Sequence, residues 1–253
     1  MRVAAIQHDI AWEDRASTLA ALAPRVAQAA ADGAALVVLT EMFAVGFSMA
    51  TERTAEAVGG PTSTWLSDQA ATHGVWIGGS VPEVEPGADR PANTFVLAGP
   101  DGTQHRYAKR HPFTYGGEDR CYRAGDHPVT VTVEGVRLSL AVCYDLRFAD
   151  QFWAQAPTTD AYLVVANWPA ARHHHWRALL VARAIENQAY VVGVNRVGSD
   201  GNGLAYGGGS CILDPLGAYD ADAGDSDTTI AADVDPEVVA KVRARYPFLA
   251  DRT

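Results

Sequence analysis

The sequence predicts an α/β protein built on mixed sheets, and three observations carry that reading. Apolar runs of strand length recur along the chain and alternate with helix-length stretches, the rhythm of β-α-β units. Two turn signatures, Gly99-Pro100-Asp101-Gly102 and Glu134-Gly135, each join two strand-like segments, so antiparallel hairpins are added to the parallel pairs. No short repeat, low-complexity tract or long linker interrupts residues 1–253, which read as a single domain.

Taken in order, residues 2–10 are strand-like. Residues 17–31, rich in Ala, Leu and Gln with Gly33 just beyond, read as a helix with a glycine stop. Leu36 to Leu39 is a short buried strand whose carboxyl end carries Glu41. After a loop from Gly46 to Pro61, Thr62 or Ser63 is placed to cap a helix reaching His73-Gly74, and Val75 to Ser80 is the next strand. Thr94–Leu97 and Gln104–Ala108 form the first hairpin, whose second strand runs out at Lys109-Arg110-His111-Pro112, because Pro112 has no N–H for a ladder. Residues 113–128 read as a long functional loop around Glu118 and Asp119. Residues 129–133 and 136–142 form the second hairpin and deliver Cys143. Strands at 161–166, 190–194, 210–213 and 228–234 follow, with a helix at 175–188, a turn at Asp200-Gly201-Asn202-Gly203, and a last helix opened by Asp235-Pro236.

With 20 Lys and Arg against 30 Asp and Glu the formal net charge is −10. No basic cluster stands out, so nucleic acid and anionic membrane surfaces are not expected partners. The start of the chain runs straight into a strand without a targeting pattern, and three widely spaced cysteines form neither a disulfide framework nor a zinc pattern. A cytoplasmic protein with free thiols and no metal or cofactor is expected.

A free cysteine in an apolar strand is most commonly a small core hydrophobe. Cys143 differs in its company. Strand ends also present Glu41, Lys109 and Asn167, and ligands in α/β sheets collect at the carboxyl ends of strands. A thiol needs a base to become a nucleophile, which a carboxylate in an apolar setting can supply. A lysine and the N–H after the nucleophile, here that of Tyr144, can hold a developing oxyanion. Such a set runs acyl transfer.

Glu41, the Lys109-Arg110-His111 stretch with Gly117-Glu118 after it, and Val142-Cys143-Tyr144-Asp145-Leu146-Arg147-Phe148 resemble the three signature regions of the nitrilase superfamily, the carbon-nitrogen hydrolases. Glu41-Met42-Phe43, Gly46-Phe47-Ser48-Met49, Ala166-Asn167-Trp168-Pro169, residues 182–188 and residues 195–203 resemble its omega-amidase branch, whose members hydrolyse the terminal amide of 2-oxoglutaramate and 2-oxosuccinamate. The resemblance implies a four-layer α-β-β-α sandwich that dimerises, and a catalytic triad of Glu41, Lys109 and Cys143. It also implies a second glutamate at Glu118 that orients the lysine or the leaving group. Alternatives of the same fold are a nitrilase, an amidase for another small amide, or a non-catalytic interaction module, although the last would normally have lost one of the three residues.

Phe43, Phe113, Tyr115, Asn167 and Trp168 are expected to wall the substrate pocket. Arg147 reads more readily as half of a structural ion pair than as a receptor for a substrate carboxylate. Cys211 reads as core, and Cys121 as a loop cysteine without a base. His173-His174-His175 is not expected to hold a metal, since consecutive side chains diverge. Neither His111 nor His127 is expected at a strand end with the orienting partner that a papain-like site requires.

Overall fold

A computed structural model describes residues 1–251. In chain order the first elements are β1 (Arg2–Gln7), α1 (Arg15–Ala31), β2 (Leu36–Val38), α2 (Thr51–Thr54), β3 (Glu56–Ala57), α3 (Pro61–His73) and β4 (Trp76–Val84). Then come β5 (Ala92–Ala98), β6 (Gln104–Ala108), α4 (Glu118–Cys121), β7 (Thr130–Val133), β8 (Val136–Val142), α5 (Ala149–Gln155) and β9 (Ala161–Ala166). The chain continues through α6 (His173–Asn187), β10 (Tyr190–Asn195), β11 (Val197–Ser199), β12 (Ala205–Gly207), β13 (Cys211–Leu213), β14 (Tyr219–Asp222), β15 (Thr228–Asp233) and α7 (Pro236–Arg245).

The strands form two large sheets in the orders β15-β1-β2-β4-β5-β6 and β14-β13-β10-β9-β8-β7. Both are mixed. The pairs β1–β2, β2–β4, β8–β9 and β9–β10 are parallel, while the flanking pairs are antiparallel.

Successive strand residues point to opposite faces, and here both faces are apolar. Val3 and Ala5 of the first sheet meet Leu138, Leu140 and Val142 of the second in the central core. Ala4 and Ile6 point the other way, onto Leu22 and Val26 of α1 and Leu66 of α3. On the far side Ala141, Tyr162 and Val164 pack against Phe152 of α5 and Trp176 and Leu180 of α6. The molecule is therefore an α-β-β-α sandwich. Strands covered on both sides read as continuous apolar runs, which is why β8 and β9 stand out in the sequence.

Some expectations need correcting. The cap of α3 is Gly60, with Pro61 in its first turn, rather than Thr62 or Ser63; Oε1 of Glu56 accepts the N–H groups of both those residues instead. The loop after Pro112 contains the one-turn helix α4, and α5, β11, β12 and β14 were not anticipated. No helix among the described residues is long and apolar enough to cross a membrane.

Candidate active site

Glu41 lies just beyond β2, where the chain leaves the sheet under close control from β4. Ser80 donates its N–H to the Thr40 carbonyl at 3.2 Å, and its Oγ accepts the Met42 N–H at 2.7 Å. Met42 takes a positive φ of 40°, a conformation unusual for a side chain of its size, and this turn buries the Glu41 side chain completely. Lys109 follows β6. Its N–H is held at 2.9 Å by the Asn93 carbonyl in β5, and its side chain is 1% exposed.

Lys109 Nζ donates to Glu41 Oε1 at 3.0 Å and to Glu118 Oε2 at 2.8 Å, so two carboxylates from distant parts of the chain meet one ammonium. Asn93 Nδ2 runs alongside, 2.8 Å from Glu41 Oε1 and 3.0 Å from Glu118 Oε1. The Asn167 N–H donates to Glu41 Oε2 at 2.7 Å, and the Phe113 N–H to Glu118 Oε2 at 2.6 Å. Both acids are thereby fixed in rotamer and place.

Cys143 sits at the sharp turn that ends β8, with φ of 47°. Strain of this kind costs on the order of 1–3 kcal/mol and persists only where its surroundings enforce it. The buried Asp145 supplies that enforcement. Its carboxylate accepts from the Val142 N–H (3.0 Å), the Tyr107 hydroxyl (2.7 Å), the His111 N–H (3.0 Å) and His111 Nδ1 (2.8 Å). One carboxylate thus ties the cysteine turn of one sheet to the lysine strand of the other.

The electrostatics follow from burial. The Cys143 thiol is pushed well above its usual pKa, first by burial and then by the nearby Glu41 carboxyl, with only partial relief from Lys109. It therefore rests as a thiol, near the Glu41 carboxyl. Burial also raises Glu118, Lys109 opposes the rise, and Glu41 adds to it. For Lys109 burial works against the ammonium, but Glu118 and Glu41 together with Cys143 outweigh it, and the pKa is raised.

Above the cluster opens a cavity of about 660 Å³, which Cys143 lines together with Tyr144, Phe113, Asn167 and Trp168. Phe47 forms part of its wall, and its ring centroid lies 5.3 Å from Lys109 Nζ. Two guanidiniums face the same space. Arg147 lies 4.8 Å over Trp168 and contacts His175 Nδ1 at 3.1 Å; Arg172 lies 5.5 Å over Phe113. Neither has a carboxylate within ion-pair distance among the described residues, whereas Arg53 on the same wall is paired with Glu13.

The structure thus gathers Glu41, Lys109, Glu118 and Cys143 at one point and sets Tyr144, Asn167 and Trp168 beside it. Phe43 is not in the pocket: the Met42 turn sends it back into the helix-facing core against Trp65, fully buried. Arg147 is not the structural ion pair expected of it. His111 does have an orienting partner, Asp145, but its ring stacks on Phe148 at 3.7 Å. Asn93, Asp145 and Arg172 were missed, since an asparagine in a strand or an arginine before a helix carries no local signal of its partners. Among the described residues no group of three His, Cys, Asp or Glu side chains is placed to hold a metal ion.

Comparison with known proteins agrees with this geometry. A family model described as carbon-nitrogen hydrolase matches residues 2–244. The chain is 44% identical to the omega-amidase YafV of Yersinia enterocolitica, over 85% of this chain and 83% of that protein. It is 33% identical to the 2-oxoglutaramate amidase of Bacillus subtilis, over 85% and 84% of the two chains. The crystal structure of XC1258 from Xanthomonas campestris, a CN-hydrolase superfamily protein with an arsenic adduct in its active site, superposes with a TM-score of 0.93 at 36% identity, covering 100% of this chain and 97% of that one. The chain belongs to the carbon-nitrogen hydrolase family of the nitrilase superfamily, and it is an enzyme of that family.

Proposed function

We propose that this enzyme hydrolyses the terminal amide of small 2-oxo-dicarboxylic acid monoamides, of the 2-oxoglutaramate and 2-oxosuccinamate kind, through a thioester on Cys143. The observation that carries the proposal is a neutral thiol within the electrostatic reach of the buried Glu41 carboxyl, under a cavity that presents two guanidiniums without carboxylate partners. A cavity of that kind favours a short ligand carrying its own negative charge. The names of the two curated relatives point the same way.

In this reading the Cys143 sulfur attacks the amide carbon as Glu41 takes the thiol proton. The oxygen that gains charge is held by Lys109 and the Tyr144 N–H. Collapse of the tetrahedral species breaks the carbon–nitrogen bond, and Glu41 returns the proton to the departing ammonia. Water, deprotonated by Glu41, then attacks the thioester and releases the acid and the free thiol. Glu118 holds Lys109 in place, Arg147 and Arg172 receive the substrate carboxylate, and the aromatic walls exclude bulk water. No metal or cofactor enters the sequence.

The residues act here as one catalytic unit spanning the whole chain, in a cytoplasmic homodimer. Trp153 of α5 and Ile185 of α6, 40% and 51% exposed on the outer layer, supply apolar surface for a second copy, and light scattering of the purified protein gives its mass in solution. The functional test is ammonia release across 2-oxoglutaramate, glutamine, asparagine and a simple nitrile. The proposal expects the 2-oxo-amide to be preferred by at least about tenfold in kcat/KM, roughly 1.4 kcal/mol of transition-state binding. A preference for the nitrile or for glutamine would overturn it.

A further inference from the structure

Two buried carboxylates share one ammonium at the centre of this site, and that ratio is unfavourable by itself. Like charges at this distance in a water-poor interior drive one acid to take up a proton. A base that must be ionised before each turnover is poorly served by such pressure. The structure holds a counterweight in Asn93, which is 1% exposed in β5.

Its Nδ2 lies 2.8 Å from Glu41 Oε1 and 3.0 Å from Glu118 Oε1, so the side-chain amide gives one N–H to each acid and adds no charge. The orientation of the amide is forced, because the flipped form would set its oxygen against both carboxylates. Its Oδ1 is buried and has no protein partner among the described residues, so the amide is held through its nitrogen alone. Its main-chain oxygen meanwhile accepts the Lys109 N–H at 2.9 Å. One residue therefore fixes the backbone of the lysine and the side chains of both acids.

We propose that Asn93 is a positioning residue that keeps Glu41 and Glu118 ionised together around Lys109, and so sets the pH below which Cys143 loses its base. The inference rests on the reading of Glu41 as the base for Cys143. The other titratable groups near the acids are Lys109, the Cys143 thiol and the phenols of Tyr122 and Tyr206. None is replaced in the test. Hydrogen bonds donated to a carboxylate favour its charged form, so removing them makes the pair harder to ionise and moves the acidic limb toward neutral pH.

The test follows alkylation of Cys143 by iodoacetamide across pH, read by mass spectrometry of the cysteine peptide, and so needs no knowledge of the natural substrate. Sulfur displaces iodide from the methylene carbon and Glu41 takes the thiol proton. Asn93→Ala is expected to shift the acidic limb upward by about one pH unit, the size set by one hydrogen bond to a charged group. On 2-oxoglutaramate it should lower kcat by about tenfold with KM within about twofold. If Asn93→Ala does not fold, Asn93→Asp, which keeps the volume and adds a third acid, must show the same upward shift. An acidic limb that stays in place in a folded variant overturns the inference, whatever happens to kcat. A wild-type enzyme that alkylates with a clear acidic limb but releases no ammonia from 2-oxo-amides sinks the substrate proposal alone.

Discussion

Lys109 shows how closely stability and chemistry are joined at the level of single residues. Its ammonium is the cation for Glu41 and Glu118, all three being almost fully buried. Removing one member of a buried ionic set leaves charge uncompensated, so Lys109→Ala should lower unfolding free energy by about 3–5 kcal/mol in urea as well as abolish turnover. Glu41→Gln is different. It keeps the shape but removes the group proposed as the base, and it should cut kcat by on the order of 10³-fold while far-UV circular dichroism stays native. If Glu41→Gln retained wild-type turnover, Glu41 would not be the base. Little of this layer was legible beforehand: Glu41, Lys109 and Cys143 were marked by position after apolar runs, whereas the service of Asn93 depends on contacts 52 and 25 residues away in sequence.

Among the elements, β8 and the turn after it matter most, because they present the sulfur. Leu138, Leu140 and Val142 anchor the strand in the core between the sheets, and Asp145 locks the turn through four donors drawn from three residues. Asp145→Ala would leave the Val142 and His111 N–H groups and the Tyr107 hydroxyl without that acceptor. Each buried orphan costs about 1–3 kcal/mol, so a loss of at least about 2 kcal/mol is expected by chemical denaturation. A variant as stable as wild type would mean that the turn holds itself. The strand was readable because both its faces are buried, and its hairpin because Glu134 and Gly135 take positive φ values of 49° and 78°. By contrast α5 was missed: Ala149–Gln155 is too short for a clear helical period, and its helix is stabilised by packing of Phe152 against Tyr162. Phe43 was misplaced for a related reason, since the turn at Met42 reverses the direction that strand alternation would give.

At the scale of the whole molecule, the two sheets put their strand ends at one place, and the site inherits the acid sensitivity of its scaffold. His8, just past β1, is buried between the Ile6 and Phe43 carbonyls, and burial lowers its pKa to about 4. The unfolded chain therefore binds a proton more readily between pH 6.5 and 4, and stability falls as pH drops through that window, by roughly 3 kcal/mol for this group. His8→Gln should flatten that part of the stability curve relative to wild type; unchanged curvature would assign it to other groups. The β-α-β rhythm was enough to mark the α/β class with mixed sheets. The stacking of two sheets could be reached only through resemblance, because apolar runs do not say which sheet they join. The claim on which all the chemistry depends is a covalent acyl-enzyme at Cys143. Acid-quenching the enzyme during turnover of 2-oxoglutaramate and measuring intact and peptide masses tests it directly: the account predicts an acyl group on the peptide that contains Cys143, absent in Cys143→Ala, and steady ammonia release with no adduct at that cysteine would contradict it.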